Sequence, residues 1–292
     1  MNETDESAIC LTDADARMMG NRNQGFDIAY NMQTVVDGKH HIIVECDVIN
    51  NPTDRGELTP MAQSLKNNGY INEDTAYLAD KGYHSGEDLA KMDALGIKAV
   101  VPRQNPSHVK NQPEMFWPTG FIYNAVANTY TCPAGHILHP CKVRSADTKR
   151  HSYINKEACN TCPHKEACIG RTKAGFRTIK RNEFADAMDA AEQTYKENKQ
   201  LYNLRRELVE HPFGTIKRYM NGGYFLLRTL EKVRGEGALL CLAYNIKRAS
   251  NALGFNAIMA MLDARLSFVS SFLRISLNSF SSTSMLFVIQ SV

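Results

Sequence analysis

Residues 202–217 read Tyr-Asn-Leu-Arg-Arg-Glu-Leu-Val-Glu-His-Pro-Phe-Gly-Thr-Ile-Lys, a run in which Glu210 has cations one and two helical turns away. Arg206 and Glu210 are four residues apart, so a helix presents both on one face. Lys217 lies seven residues after Glu210, two turns along the same stripe. The carboxylate suits a divalent metal and the cations suit a phosphodiester beside it. A solvated helix with ordinary ion pairs has the same composition.

A second segment, residues 75–85, reads Thr-Ala-Tyr-Leu-Ala-Asp-Lys-Gly-Tyr-His-Ser. Its short apolar run ends at Asp80, and the chain then turns at Gly82. This pattern predicts a buried strand that delivers Asp80 at its carboxyl end, where ligands bind in sheet proteins. Upstream, residues 30–37 and 41–48 predict two strands joined by a tight turn at Asp37-Gly38.

Three separated motifs resemble the DDE-type transposases of bacterial insertion sequences. The motifs are Asn-Met-Gln at 31–33, Leu-Ala-Asp-Lys-Gly-Tyr at 78–83, and Val-Glu-His-Pro-Phe-Gly-Thr-Ile-Lys at 209–217. The resemblance is closest to the subgroup with a cysteine-containing insertion before the last acidic residue, and it covers roughly residues 10–255. Residues Tyr202, Arg206, Glu210 and Lys217 are similar to the family's Tyr-Arg-Glu-Lys signature, with one additional residue between Tyr202 and Arg206.

This resemblance implies an α/β chain with an RNase H-like mixed sheet and flanking helices, interrupted by a small Cys-rich, zinc-ribbon-like insertion. It also implies three acidic residues on one metal site, of which Asp80 matches the second and Glu210 the third. The family's first acid lies on an earlier strand that nothing in this sequence matches. The chain is therefore expected to be an amino-terminally truncated transposase. Asp37 is the best internal substitute, although its role in an Asp-Gly turn explains it equally well.

The function implied by the resemblance is DNA transposition by metal-dependent phosphodiester hydrolysis and strand transfer. Two ions of Mg²⁺ (or Mn²⁺) would activate the nucleophile and stabilise the leaving oxygen. Asp80 and Glu210 would bind the metal, and Arg206, Lys217 and Tyr202 would contact the DNA of the element ends and the target. The alternative is a non-catalytic, zinc-containing DNA-binding remnant. A homo-oligomer is a further possibility for either function.

Charge is unevenly distributed along a chain of 292 residues whose net charge is only +3. Residues 1–60 hold eleven acidic and four basic side chains, whereas residues 142–181 hold eleven basic and three acidic ones. The basic segment can neutralise phosphates without reading sequence, although a merely soluble Lys-rich loop would look similar.

Cysteines cluster in the same region. The spacing Cys159-x2-Cys162-x5-Cys168, with Cys132 in a Cys-Pro-Ala-Gly segment, predicts a tetrahedral structural Zn²⁺ site. Reduced thiols without a ligand, or a disulfide pair, are the alternatives. Some nearby side chains could replace a ligand: Cys141, His136, His139 and His164. Without a secretory signal, we expect a cytoplasmic, nucleoid-associated protein with no membrane segment, where disulfides are rare.

The chain divides into five predicted blocks. These are a poorly ordered lead-in (1–25), the first part of the catalytic domain (26–125), the Cys-rich basic insertion (126–182), the helical remainder of the catalytic domain (183–255) and an atypical tail (256–292). A long helix is predicted from Glu183 to Leu208, with a kink or a break near Pro212 and Gly214. An amphipathic helix over 237–253 presents Leu239, Leu242 and Ile246 on its apolar side. The tail is rich in serine and apolar residues. Its nine serines count against a transmembrane helix, and a terminal strand pair and a disordered tail are the other interpretations.

Overall fold

A computed structural model describes residues 10–20, 25–72, 74–104, 112–141, 150–169, 174–269 and 286–291. The chain forms two compact units. One, the terminal unit, contains residues 1–102 and 190–292; the other, the inserted unit, contains residues 103–189. The α/β class expected from the sequence is confirmed, because strands and helices alternate along the chain.

The first part of the terminal unit contains six strands and two helices. They are β1 (Arg17–Gly20), β2 (Phe26–Ala29), β3 (Asn31–Asp37), β4 (Ile43–Ile49), α1 (Leu58–Asn67), β5 (Ala76–Leu78), α2 (Gly86–Ala94) and β6 (Lys98–Val100). The inserted unit follows with β7 (Ile122–Asn124), β8 (Thr129–Thr131), β9 (Ile137–Cys141), β10 (Arg150–Ile154), α3 (Lys156–Thr161), α4 (Lys165–Ile169) and β11 (Thr178–Asn182). The remaining elements are α5 (Ala185–Glu197), α6 (Lys199–Tyr219), α7 (Leu230–Leu253), α8 (Phe255–Val269) and β12 (Leu286–Ser291).

The main sheet of the terminal unit has the strand order β4-β3-β12-β5-β6. β3 and β4 form the predicted antiparallel hairpin, although five residues, 38–42, connect them in place of a tight two-residue turn. β5 and β6 are parallel, as a crossover through α2 requires. Between these two pairs lies β12, which is antiparallel to β3 and parallel to β5.

The middle strand of this sheet therefore comes from the tail of the chain. Val288 pairs with Val36 on one side and with Leu78 on the other. A middle strand has its backbone groups paired on both edges, so β12 joins the hairpin to the parallel pair. The sequence pattern of the tail allowed a terminal strand, but it carried no sign of the partners.

Helix α6 covers one face of the sheet. Leu208, Val209 and Phe213 pack on Ala76, Leu78 and Val100, which belong to β5 and β6. Burial of such a side chain is worth about 1.5–3 kcal/mol relative to leaving it exposed. This apolar contact places the helix across the strand that ends at Asp80.

The sequence predicted a kink or a break near Pro212, and the helix is not broken there. α6 continues through Pro212 to Tyr219, while the preceding helix α5 ends at Glu197, one residue before Asn198. Proline removes one backbone hydrogen bond within a helix. Here the flanking residues Val209, Phe213 and Ile216 are all buried, so packing on the sheet outweighs the local preference.

The predicted apolar side of α7 is not the side that the sheet covers. Val233, Gly237, Cys241 and Tyr244 are buried, and α7 lies along β4. The other apolar side, with Leu239, Leu242 and Ile246, is exposed. α7 is apolar on two opposite faces, so periodicity in the sequence could not decide which one is buried.

The inserted unit contains a five-stranded antiparallel sheet in the order β11-β10-β9-β8-β7. Its core is mostly aromatic: Phe121, Tyr130 and Tyr153 pack with Leu138 and Ile179. α3 and α4 carry the cysteine-rich segment beside this sheet. Among the described residues of the whole chain, no helix is long and apolar enough to cross a membrane.

Candidate functional site

Asp80 lies two residues after β5, at the start of a short 3₁₀ turn over Lys81–Tyr83. Its backbone is extended, and one carboxylate oxygen accepts a hydrogen bond from the Lys81 backbone N–H. This cap fixes the side chain at the carboxyl end of the strand, as the sequence predicted. The carboxylate remains 44% exposed, so it is accessible from solvent.

Arg205 of α6 forms an ion pair with Asp80. Its Nη2 donates to Asp80 Oδ2 at 2.9 Å, across 125 positions of the chain. Arg205 is only 12% exposed, so little water surrounds its side of this ion pair. Sequence reasoning singled out Arg206, because that residue is four positions from Glu210. The signal for Arg205 was its spacing of three from Tyr202, which matches the family's usual interval.

Tyr202 supports this ion pair from the preceding helical turn. The Arg205 guanidinium lies 5.8 Å from the centre of the Tyr202 ring, and the Tyr195 ring meets Tyr202 edge-on at 5.1 Å. Burial raises the pKa of Tyr202 above its ordinary value, while the Arg205 cation partly opposes the shift. The Tyr202 ring is therefore neutral and half-buried, and it helps to position Arg205.

Glu210 lies on α6, five residues after Arg205, and its side chain lies outside the described part of the structure. Five residues correspond to about 7.5 Å along a helix axis. The neighbouring Val209 packs on the β5 side of the sheet. The structure thus brings the helix that carries Glu210 onto the strand that leads to Asp80. Arg206 and Lys217 lie on the same helix and are exposed.

Asp37 is not brought beside Asp80. It ends β3, where its carboxylate accepts hydrogen bonds from the backbone N–H groups of Lys39 and His40 in the hairpin connection. The ladder through β12 sets Asp37 level with Tyr77, three residues before Asp80 and two strands away. Strand dimensions then separate the two backbones by about 14 Å. The turn role accounts for Asp37 in this fold.

A buried polar network supports the turn that follows Asp80. Tyr83 donates to Gln33 Oε1, and Gln33 Nε2 donates to Asp54 Oδ1 at 3.1 Å. Asn31 Nδ2 donates to the same oxygen of Asp54 at 2.9 Å. A Cβ atom on Gly82 would lie 2.9 Å from Asp54 Oδ2, so any larger residue at this position would push on the Asp54 carboxylate. The network joins β3 to the Asp80 turn through side chains alone.

The position beside Asp80 on the middle strand carries no carboxylate. β12 pairs with β5 through Val288 and Leu78. Continuing this register by two residues sets Gln290 level with Asp80. The sequence offers no acid within β12, which reads Leu-Phe-Val-Ile-Gln-Ser.

Four cysteines line one small pocket of the inserted unit, which is partly open to solvent. Cys132, Cys159, Cys162 and Cys168 all line it, together with His136. Cys141, His139 and His164, the other ligands considered from the sequence, do not line it. Spacing therefore predicted the four residues that share a pocket.

Two of these thiols, Cys132 and Cys168, have distinct local environments. The His136 backbone N–H points at Cys132 Sγ at 3.3 Å, within a tight turn closed by the Gly135 N–H donating to the Cys132 carbonyl. Burial raises the pKa of Cys168 to about 11, and the other three thiols add to the rise, while Arg177 opposes it.

Among the described residues, no group of three or more His, Cys, Asp or Glu side chains is arranged to hold a metal ion. The four thiols line one pocket without forming a closed cage. The Asp80 carboxylate forms an ion pair with Arg205.

A comparison with protein families gives one match. Residues 131–250 match the family model of the transposase DDE domain. The match supports a DDE transposase, and it includes the cysteine cluster, Arg205, Glu210 and Lys217, whereas Asp80 lies outside it. No curated protein and no solved structure matches the chain.

Proposed function

We propose that this protein is a DDE transposase of RNase H-like fold that cuts DNA and joins its strands. The observation that carries the proposal is the ion pair between Arg205 and Asp80. Through this ion pair, helix α6, which lies in the region that matches the DDE family model, contacts the carboxyl end of β5, where the sequence pattern predicted an acidic residue. A transposase DDE domain acts on DNA, so DNA is the partner.

The proposed metal ligands are Asp80 and Glu210, and the proposed ion is Mg²⁺ or Mn²⁺. Carboxylate oxygens suit these ions, which keep several waters and need only one or two protein carboxylates. Asp80 fits this role because it is partly exposed, although its carboxylate already takes hydrogen bonds from Arg205 and Lys81. The bound ion would activate an attacking oxygen and stabilise the leaving one.

The remaining residues act on the DNA and on Asp80. The exposed Arg206 and Lys217 would bind phosphate oxygens along α6. Arg205 holds the Asp80 carboxylate in one orientation through their ion pair, and the Arg205 guanidinium lies 5.8 Å from the centre of the Tyr202 ring. Asp37 is left out of the proposed site because of its distance from Asp80 along the ladder.

The test is nicking of supercoiled plasmid with Mg²⁺ or Mn²⁺. The intact chain should nick DNA, and Asp80→Asn and Glu210→Gln should each lose at least about 100-fold of that rate, as expected for loss of transition-state stabilisation. Asp93→Asn is the matched control, because Asp93 is an exposed carboxylate of the same unit. Retained nicking in both site variants would refute the assignment.

We also propose that Cys132, Cys159, Cys162 and Cys168 bind a structural Zn²⁺ ion. Thiolates are preferred zinc ligands, and a backbone N–H donated to a cysteine sulfur is a bond that stabilises a thiolate. Elemental analysis of the purified chain should find one zinc per chain. Cys159→Ser should lose the metal, whereas Cys141→Ser, outside the pocket, should keep it. Equal zinc content in both variants would reject the four-thiol site.

A second function is favoured by the β12 register. If the pairing of β12 with β5 is continued two residues past Leu78, Gln290 and not an acid would lie level with Asp80, whose carboxylate pairs with Arg205. Such a chain would bind DNA without cutting it, as a zinc-containing remnant. Salt-sensitive DNA binding that persists while wild-type nicking is absent would select this function. Three described lysines of the inserted unit lie in the basic segment and would contribute to binding: Lys156, Lys165 and Lys180.

A further inference from the structure

Two cysteines of the terminal unit, Cys46 and Cys241, lie outside the pocket that the four proposed zinc ligands line. Cys46 lies on β4 and Cys241 lies on α7, about 195 positions later in the chain. Both are free thiols of one apolar cluster, in which Cys241 is buried and the partly buried Cys46 packs against the other members. Spacing in the sequence gives no sign of this arrangement, because the two elements are so far apart along the chain.

The alternation of side chains along β4 directs Cys46 toward α7. Glu45 accepts a hydrogen bond from Ser64 of α1, so its side chain lies on the α1 face of the sheet. Successive side chains of a strand point to opposite faces, so Cys46 lies on the other face together with Val48. α7 packs on that face, because a Cβ atom on Gly237 would lie 2.8 Å from Val48 Cγ2.

Three hydrogen bonds set the direction in which α7 crosses β4. Near the start of the helix, Arg234 Nε donates to the Val48 carbonyl at 2.9 Å. Further along the helix, the Asn245 side chain exchanges hydrogen bonds of 2.9 and 2.7 Å with the backbone of Ile43. The helix therefore runs from Val48 towards Ile43, in the opposite direction to the strand.

The step lengths of the helix and the strand bring the two thiols opposite each other. Cys241 follows Gly237 by four residues, which is about 6 Å along a helix. Cys46 precedes Val48 by two residues, which is about 6.6 Å along a strand. Cys241 therefore lies over Cys46 as Gly237 lies over Val48. A disulfide requires Cα atoms within about 7 Å of each other, and the glycine one turn away lets the two backbones approach closely.

The two thiols differ in acidity and in access to solvent. A hydrogen bond with Cys241 lowers the pKa of the Cys46 thiol, although burial and the carboxylates of Glu45 and Asp47 act in the opposite direction. The same hydrogen bond, together with burial, raises the pKa of Cys241. Cys46 is also the more exposed of the two. Because the thiolate is the nucleophilic form of cysteine, Cys46 is the sulfur that reacts first with a soluble oxidant.

We propose that Cys46 and Cys241 form a reversible disulfide when the chain meets a peroxide. The Cys46 thiolate attacks one oxygen of hydrogen peroxide and the O–O bond breaks. Cys46 becomes a sulfenic acid, and the hydroxide that leaves takes up the proton that Cys46 released. The Cys241 sulfur then attacks the Cys46 sulfur, so that an S–S bond forms and the S–O bond breaks. The second hydroxide leaves as water with the Cys241 proton.

The overall reaction converts two thiols and one peroxide into one disulfide and two molecules of water. The product joins α7 covalently to β4 within the terminal unit. A thiol reductant reverses it by thiol–disulfide exchange.

The experiment treats the full, reduced chain with a small excess of hydrogen peroxide and maps its tryptic peptides by mass spectrometry without reduction. Residues 40–55 and 235–247 are tryptic peptides with one cysteine each, so a linked pair identifies the disulfide. We expect this pair to be the main cross-linked product of the terminal unit, and dithiothreitol should abolish it. Cys10→Ser, which changes another described cysteine of this unit, should leave the yield unchanged.

Two variants separate the roles of the two sulfurs. Cys241→Ser should stop at the Cys46 sulfenic acid, so trapping of Cys46 by dimedone should exceed that of the wild type by about tenfold or more. Cys46→Ser should leave Cys241 unmodified, because Cys241 is only 3% exposed.

Absence of the linked pair 40–55/235–247 would overturn the proposal, and so would a link from Cys46 mainly to another cysteine. Dimedone trapping in Cys241→Ser that does not exceed trapping in the wild type would also overturn it. Mapping of the wild-type chain needs no substitution, so it decides the question even where a variant fails to fold. The plasmid-nicking assay tests the proposed function separately, so either can fail alone.

Discussion

Glycine 237 allows a quantitative test of how closely α7 packs on the hairpin. A Cβ atom at this buried position would lie 2.8 Å from Val48 Cγ2, 3.8 Å from Met32 Cε and 3.9 Å from Phe225 Cε1. Carbon atoms prefer separations of about 3.5–4.0 Å, so only the first contact is an overlap. Val48 is buried and β-branched, so it has no flexible end that could move aside.

Two effects of opposite sign decide the result of Gly237→Ala. Alanine stabilises a helix interior by about 0.8–1 kcal/mol relative to glycine. Overpacking against a rigid neighbour costs about 1–3 kcal/mol. We therefore expect a net loss of about 1 kcal/mol. Gly235→Ala is the matched control on the same helix, because nothing lies within 4 Å of its added Cβ, and it should gain about 0.8–1 kcal/mol.

Urea unfolding followed by circular dichroism at 222 nm measures both changes in the terminal unit. The only tryptophan, Trp117, belongs to the inserted unit, so its fluorescence does not report on α7. With a slope of about 2 kcal/mol per molar urea, the two midpoints should differ by about 1 M. Val48→Ala removes the overlapping methyl group, and in that background Gly237→Ala should become stabilising. Equal stabilisation by both glycine substitutions in the wild-type background would refute the close packing of α7 on β4.

Three further predictions follow from the same structure. Val288→Pro should lower the stability of the terminal unit by about 3 kcal/mol or more, because a middle strand cannot lose a backbone N–H donor without cost. An unchanged thermal transition would contradict the position of β12 in the middle of the sheet. Arg181→Met should lower the stability of the inserted unit by about 2 kcal/mol, since the buried guanidinium donates hydrogen bonds to Asp189 and Tyr130 at 2.8 and 2.9 Å. Trp117 fluorescence during urea unfolding measures this loss. An unshifted unfolding midpoint would contradict the contribution of these hydrogen bonds. Burial, together with the nearby Arg248, lowers the pKa of His41 below its ordinary 6.5. As the pH falls, His41 is therefore protonated in the unfolded chain before it is protonated in the folded one, and the stability of the fold should decrease below pH 6.5. His41→Asn, which tolerates the positive φ of 58°, should flatten that decline in thermal melts, and an unchanged slope would contradict it.

Local features of the terminal unit could be predicted from sequence. The strands around the Asp37-Gly38 turn lie within one or two residues of the prediction. Asp80 follows its strand as expected. These features depend on hydrophobic periodicity and turn residues, which act over a few positions and are therefore visible in the chain itself.

The structure differed from the sequence prediction where distant segments compete for the same surface. Pro212 is a local helix breaker, yet apolar burial on both sides of it keeps α6 continuous. α7 has two apolar faces of similar quality, and only the position of β4 decides which one is covered. In both cases the deciding interaction comes from a part of the chain that periodicity cannot identify.

Sequence alone singled out the residues that we propose for the chemistry: the acids Asp80 and Glu210, and four cysteines at metal-ligand spacing. Tertiary structure alone selected Arg205 as the partner of Asp80 and the tail strand β12 as the middle of the sheet. The physical reason is that spacing reports which side chains share a local face. Strand pairing and ion pairing across more than one hundred residues depend instead on shape and burial, which exist only once the chain has folded.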